Sequence, residues 1–441
     1  MTLSSSVPLC MLLFSFIFFF TCSSTKLNHD SKNDSLSLSF PLTFFPLTRE
    51  KPLKNNPQQR TLSSSSSSSS SYNVKSSFKY SMALVVTLPI GTPPQLQQMV
   101  LDTGSQLSWI QCHNKKTPPK TAFNPSLSSS FYVLPCTHPL CKPRVPDFTL
   151  PTTCDQNRLC HYSYFYADGT YAEGNLVREK LTFSSSQTTP PLILGCATES
   201  SDARGILGMN LGRLSFPSQA KITKFSYCVP ARQTRPGTIP TGSFYLGNNP
   251  ASSRFRYVNM LTFGQSHRMP NLDPLAYTLP MQGIKINGKR LNIQPSVFRP
   301  NAGGSGQTMI DSGSEFTFLV DEAYGKVREE IERVVGPKLK KGYVYGGVSD
   351  MCFDGDAMEI GRLVGDVVFE FEKGVEIVIR KERVLADVGG GVHCVGIGRS
   401  ERLGAASNII GNFHQQNLWV EFDLANRRVG FGEADCSRSI N

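Results

Sequence analysis

Short apolar stretches broken by turn residues run through most of this chain, and within them apolar and polar positions tend to alternate. A period of two predicts strands rather than helices. Residues 83–88 form one such run, ended by Gly91-Thr92-Pro93-Pro94, and residues 99–101 form the next. Residues 161–165 alternate around aromatics, Tyr166-Ala167-Asp168-Gly169-Thr170 supplies a turn, and residues 175–183 return. An Asp-Gly pair between two such runs predicts a hairpin. Further strands are expected at residues 244–246, 277–286, 367–371, 375–379 and 418–422. One segment changes period: Ala323, Tyr324, Val327, Ile331, Val334 and Val335 share one face of a helix. Asp321 is placed to cap it and Gly336-Pro337 to stop it. The predicted class is mainly β.

Two stretches 209 positions apart nearly repeat one another. Met99-Val100-Leu101-Asp102-Thr103-Gly104-Ser105 matches Thr308-Met309-Ile310-Asp311-Ser312-Gly313-Ser314. A hydrophobic segment follows each, at residues 107–110 and 316–319. The echo continues about a hundred residues on, where Arg204-Gly205-Ile206-Leu207-Gly208 answers to Asn408-Ile409-Ile410-Gly411. A duplication in matching order implies a two-lobed, pseudo-symmetric β protein, and 441 residues suffice for it. The expected N-terminal lobe is 81–255, with the first aspartate, and the C-terminal lobe is 256–441, with the second.

What precedes residue 81 reads differently. Residues 9–20 are almost unbroken apolar, and Cys22-Ser23-Ser24 supplies small residues for cleavage, so residues 1–24 read as a secretory signal peptide. The apolar run is short for a membrane anchor, although no Lys or Arg precedes it. Residues 25–80 are rich in Ser, Pro and Lys, with consecutive serines from Ser63 to Ser71. That composition predicts a pro-segment or linker, with ordered sequence beginning near Tyr80. Of the net charge of +11, this segment supplies eight Lys/Arg against three Asp/Glu. A basic chain can bind nucleic acid, but no long Lys/Arg run and no nucleic-acid motif is present.

Of twelve cysteines, Cys10 and Cys22 fall in the signal segment and ten remain. An even number in a secreted chain implies disulfides, with the connectivity left open. No C-x-x-C pair exists, so no metal site is expected.

A lone D-S/T-G tripeptide is an ordinary turn; two in matching contexts carry chemistry. The apolar residues make a strand that ends at the aspartate, and the glycine lets the backbone turn tightly. Thr103, Ser105, Ser312 and Ser314 offer hydroxyls to hold the carboxylates, with Ser105 placed to donate to Asp102 and Ser314 to Asp311. Two carboxyls in hydrogen-bond reach cannot both ionise easily, so they share a proton. The ionised one can then draw a proton from water while the other polarises a carbonyl and protonates a leaving amine. Rival chemistries lack their marks. No Gly-x-Ser-x-Gly exists, and Cys160-His161 are chain neighbours. His161, His393 and His414 read as structural. Gly303-Gly304-Ser305-Gly306 lacks the Gly-Lys-Ser/Thr of a phosphate loop and reads as a turn.

On these motifs, residues 81–436 resemble the pepsin-like aspartic endopeptidases, and within them the plant nucellin/nepenthesin-like, or atypical, group. The resemblance implies a bilobal, mainly β, pepsin-like fold with pseudo-two-fold symmetry and a central cleft. It implies that Asp102 and Asp311 are the catalytic pair, supported by Thr103, Gly104, Ser105, Ser312, Gly313 and Ser314. Tyr166 corresponds to the flap tyrosine, and Trp109 to the tryptophan that hydrogen-bonds it. Ala167 and Thr170 stand where Gly and Ser are common, and two cysteines frequent in relatives are absent after Cys112. The pairing implied by resemblance is Cys112–Cys196, Cys136–Cys160, Cys141–Cys154, Cys228–Cys436 and Cys352–Cys394.

The expected function is hydrolysis of extended polypeptides by a water activated between two carboxyls, with no metal, cofactor, nucleic acid or lasting membrane contact, in a monomer. Residues 25–80 are expected to inhibit, with Lys51 or Lys54 facing the pair. The expected location is the secretory pathway: endoplasmic reticulum, vacuole or apoplast. The rival is a catalytically silent pepsin-fold protein that binds or inhibits another secreted enzyme. Relatives of that kind lose an aspartate or its Ser/Thr-Gly, whereas both motifs are complete here. A structural wall protein would carry repeats and glycosylation sites, but Asn33 is the sole Asn-x-Ser/Thr match.

Overall fold

The alternating runs form strands where they were expected, with bounds shifted by a few residues. The computed structural model describes residues 37–46, 82–113, 121–142, 152–201, 204–232, 240–264 and 269–437. Contacts join Leu36–Asn441 in one unit. Lys51, Lys54, the serine run and the signal segment lie outside the described residues.

The dominant element is a fifteen-stranded sheet among the described residues, and three smaller sheets accompany it. Within these sheets one four-strand arrangement occurs twice. Gln95–Asp102 pairs in parallel with Gly205–Gly208, which meets Trp109–Gln111 antiparallel, which pairs in parallel with Leu192–Ser200. In the second copy Thr308–Ile310, Asn408–Ile410, Thr317–Leu319 and Ile397–Arg399 follow in the same order with the same directions. Asp102 thus ends its strand and Asp311 directly follows its own, and each is followed by a chain that returns beside it. Leu101, Leu207, Ile310 and Ile410 are buried, which fixes the register of both copies.

The expectation that ordered sequence begins near Tyr80 is the main correction. Leu38–Pro46 is a strand, not linker, and it lies between Met82–Ile90 and Thr241–Leu246 inside the large sheet. Leu42 and Phe44 are 0% and 1% exposed. Burying two such side chains stabilises the fold by about 4 kcal/mol. The alternation was present in the sequence: Leu38, Phe40, Leu42 and Phe44 interleave with Ser39, Pro41 and Thr43. The polar composition around it masked a period-two run.

The helix spans Asp321–Val335 and buries Ala323, Tyr324, Val327, Ile331 and Val335, as the stripe predicts. Its cap differs. Asp321 is the first helical residue and accepts from Arg399 Nη1 at 2.6 Å instead of capping. Residues 277–280 precede the strand Met281–Ile286 instead of joining it.

Three disulfides coincide with the pairing implied by resemblance: Cys112–Cys196, Cys228–Cys436 and Cys352–Cys394. Two do not. Cys136 pairs with Cys154, and Cys141 pairs with Cys160, in place of Cys136–Cys160 and Cys141–Cys154. Burial and loop contacts account for the exchange. Cys154 and Cys160 are direct partners in a hairpin, but Cys160 is fully buried while Cys154 is exposed. Cys160 shares a core cluster with Leu140, next to Cys141. The Cys136 N–H is held by the Arg158 carbonyl at the hairpin turn, beside Cys154. Peptide mapping without reduction should therefore recover fragments linking Cys136 to Cys154 and Cys141 to Cys160. A fragment linking Cys136 to Cys160 would contradict this.

Candidate active site

The loops that leave the two aspartate strands meet and interlock. The Thr103 N–H donates to Ser312 Oγ at 3.1 Å, and the Ser312 N–H donates to Thr103 Oγ1 at 2.9 Å. Each hydroxyl then donates across the join: Thr103 Oγ1 to the Ile310 carbonyl at 3.3 Å, Ser312 Oγ to the Leu101 carbonyl at 2.7 Å. Thr103 and Ser312 are fully buried. The expectation that these two hydroxyls orient the carboxylates is therefore corrected: they tie one loop to the other.

The carboxylates are oriented by other groups. The Gly104 N–H donates to Asp102 Oδ1 and the Gly313 N–H to Asp311 Oδ1, each at 2.9 Å. Ser314 Oγ donates to Asp311 Oδ2 at 2.6 Å. Ser105 has no hydrogen bond of that quality, although its hydroxyl lies near enough to Asp102 to favour the anion. The glycines are required by space. A Cβ on Gly104 would lie 2.9 Å from the Asp311 carboxyl, and one on Gly313 would lie 2.2 Å from Asp102 Oδ1. Each glycine makes room for the opposite aspartate.

Asp102 and Asp311 are 6% and 8% exposed. Burial first, and then the charge of Asp311, push the Asp102 carboxyl up to about 7. The Gly104 N–H and the nearby Ser105 hydroxyl oppose that rise, and the neighbouring Asp311 carboxyl group adds to it. The pair thus keeps one proton across the acidic range.

The hairpin expected around Tyr166 is present, pairing Cys160–Phe165 with Tyr171–Glu179. Trp109 Nε1 donates to the Tyr166 hydroxyl at 2.7 Å. Gly169 carries the positive φ of the turn, and Ala167 does not, which is why alanine is accepted there. Thr170 Oγ1 donates to Asp168 Oδ1 at 2.7 Å, a bond a serine could also make. Between flap and aspartates lies a cleft of about 370 Å³, lined by Ile206, Phe316, Phe318, Val348 and Leu403 among others.

Three supports were missed from sequence. Tyr164 is buried, lines the cleft and meets Tyr166 edge-on at 4.6 Å, so it braces the flap tyrosine. Gln415 Nε2 donates to the Ile410 carbonyl at 2.8 Å and its Oε1 accepts from Tyr227 at 2.7 Å. Asn412 Nδ2 donates to the Ser312 carbonyl at 3.0 Å. Tyr164 continues the flap alternation and was visible as such, but Gln415 and Asn412 carry no local signal. Of the histidines, His414 is buried against Thr317 Oγ1 at 2.7 Å, and burial pushes it down to about 3, so it stays neutral. His161 and His393 sit on strands outside the cleft lining.

Comparison with known proteins accords with this geometry. Residues 84–243 match the family model "Xylanase inhibitor N-terminal" and residues 276–433 match "Xylanase inhibitor C-terminal". The chain is 37% identical over 392 residues to Aspartic proteinase PCS1 of Arabidopsis thaliana, covering 83% of this chain and 84% of that one. It is 33% identical to Aspartic proteinase nepenthesin-1 of Nepenthes gracilis, covering 80% and 78%. The chain belongs to the plant pepsin-like aspartic protease family. The fold is shared with more distant solved structures. One is edgp, at TM-score 0.58 and 18% identity over 90% of this chain and 95% of the other. Another is the basic 7S globulin from soybean, at TM-score 0.57 and 16% identity over 81% and 96%. Sharing of one proton by two aspartates is the established behaviour of aspartic proteases as a class.

Two expectations follow from the site. Gly313→Ala should lower kcat on the order of a hundredfold by displacing Asp102, with the fold kept by circular dichroism. An unchanged kcat would mean the close approach is immaterial. The raised Asp102 carboxyl gives the folded state stability that is full below its unfolded value of 3.8 and lost as pH rises through about 7. Asp102→Asn should therefore raise the unfolding temperature at about pH 8 and leave it nearly unchanged at about pH 3.5. The same shift at both pH values would contradict the raised carboxyl.

Proposed function

We propose that Asp102 and Asp311 are the catalytic pair of an aspartic endopeptidase that cleaves extended polypeptides. The observation that carries this is a pair of buried carboxyls, each packed against the other's glycine loop, lining one cleft. A water between the carboxyls gives its proton to the ionised oxygen and attacks the scissile carbonyl. The protonated carboxyl donates to the carbonyl oxygen; as the C–N bond breaks, the carboxyl that took the water's proton gives it to the leaving amine, and a hydroxyl of the tetrahedral intermediate returns a proton to the other carboxylate. The two carboxyls meet every proton need of this cycle. Tyr166, held by Trp109, closes over the substrate. Phe316, Phe318, Val348 and Leu403 favour apolar side chains.

The relatives named aspartic proteinases imply peptide substrates. Among the described residues no helix is long and apolar enough to cross a membrane. Five disulfides fit the secretory pathway. Residues 1–24 serve as the signal peptide, residues 81–255 and 256–441 as the two lobes, and the mature enzyme acts as a monomer in the endoplasmic reticulum, vacuole or apoplast. If basic residues of 25–80 mask the carboxyls in a zymogen, they do so from outside the strand Leu38–Pro46, which the large sheet already holds. The inhibitor reading has one observation in its favour, the name of the matching family models. The complete pair, with both glycines and both interlocking hydroxyls, supports the enzyme instead.

Purified protein should cut a denatured protein between about pH 4 and 6, lose activity as pH rises through about 7, and be blocked by pepstatin. Asp102→Asn and Asp311→Asn should each abolish cleavage while leaving secretion intact. Proteolysis retained in either variant would defeat the assignment.

A further inference from the structure

We propose that the strand Leu38–Pro46 is a permanent part of the catalytic body, positioning the Asp311 loop through Phe44, Arg232 and Glu315. This rests on the peptidase reading.

The strand is interior to its sheet. It pairs from Leu38 to Thr43 with residues 246–241, and from Leu42 to Pro46 with residues 86–82. The Phe44 N–H reaches the Pro240 carbonyl at 3.2 Å, and Phe40 packs on Phe183 and Phe244. Removing the strand would unpair two neighbours at once and open the core at Leu42 and Phe44. An interior strand with buried side chains is held more firmly than a masking segment needs to be.

The same strand reaches the chemistry. The Arg232 guanidinium lies 5.4 Å over the Phe44 ring and 4.8 Å over the Phe413 ring. Its Nη2 is 2.7 Å from Glu315 Oε1. Glu315 follows Ser314, the residue whose hydroxyl holds Asp311. The loop is pinned again from the Phe413 side, where the Phe413 N–H donates to the Glu315 carbonyl at 2.9 Å and the Asn412 N–H to the Ser314 carbonyl at 2.8 Å. The Arg232 N–H donates to Gln416 Oε1 at 2.7 Å, which fixes the base of the arginine. Burial pushes the Glu315 carboxyl up, and Arg232 and the Met82 N–H oppose that rise. Met82 begins the strand beside Leu38–Pro46. A largely buried carboxylate needs its partner, since breaking such a pair leaves an uncompensated charge. Phe44 is one wall of the slot that holds that partner in place.

Arg232 and Phe44 are positioning residues; neither is placed to touch substrate. Their role has a kinetic signature. Arg232→Met should lower kcat about tenfold with KM within about twofold, because the loop holding Asp311 loses its brace while the cleft walls stay. Arg232→Lys, which keeps the charge, should recover most of that loss. Unchanged kcat in Arg232→Met, with only the unfolding temperature lowered, would overturn the positioning role.

The strand's permanence is tested on the full chain with a site-specific protease sequence set into the serine run 63–71. After cutting, the N-terminal fragment should co-elute with the remainder in gel filtration, activity should persist, and the fragments should part only in denaturant. Release with loss of activity, restored by a synthetic peptide of residues 37–46, would equally support the strand's place in the active enzyme. Release with activity kept or raised would overturn it. So would a retained fragment whose removal switches activity on. The uncut chain is the control. If neither uncut nor cut chain hydrolyses peptide under any condition, the peptidase reading fails, while co-elution still decides whether the strand stays.

Discussion

The structure depends on the lock between Thr103 and Ser312. Each residue's N–H meets the other's hydroxyl, and each hydroxyl reaches the strand that delivers the opposite aspartate. Like-charged carboxyls would separate if the loops were free. Four hydrogen bonds in a buried setting keep the loops together, and the two glycines let each carboxyl come close to the opposite loop. The proton is the consequence. A buried site that cannot tolerate two adjacent anions holds one hydrogen ion up to the neutral range.

Much of the remaining fold serves that lock. Parallel partner strands set the height at which Asp102 and Asp311 leave their sheets. Gln415, Tyr227 and Asn412 hold the second loop from beneath. Arg232 and Glu315 hold it from the side, backed by Phe44 of the N-terminal strand. Above, Trp109 fixes Tyr166 and Tyr164 braces it. The site is thus rigid at its floor and roofed by a hairpin that turns on Gly169.

The two aspartate loops, the hairpin around Tyr166 and most strands were legible in the sequence because their signals are local: a repeated heptapeptide, an Asp-Gly turn, runs of period two. Contacts made across the fold were not. The role of Thr103 and Ser312 depends on how two loops meet, and no spacing encodes it. The exchange between Cys136–Cys154 and Cys141–Cys160 depends on which loop cysteine the fold brings beside each strand cysteine. Asp321 is drawn to Arg399, a residue far along the chain, and leaves the helix without a side-chain cap. The N-terminal strand is the instructive case, because its alternation was in view and regional composition overruled it. A short apolar repeat is stronger evidence than the polarity of the segment around it.

The most direct test of the shared proton is a carboxyl carbon-13 NMR titration of aspartate-labelled protein, comparing the native chain with Asp311→Asn. The account predicts an Asp102 carboxyl that titrates at about 7 in the native chain and lower in the variant, where the neighbouring charge is gone. An Asp102 carboxyl that titrates near its ordinary value of 3.8, and is indifferent to Asp311→Asn, would contradict it.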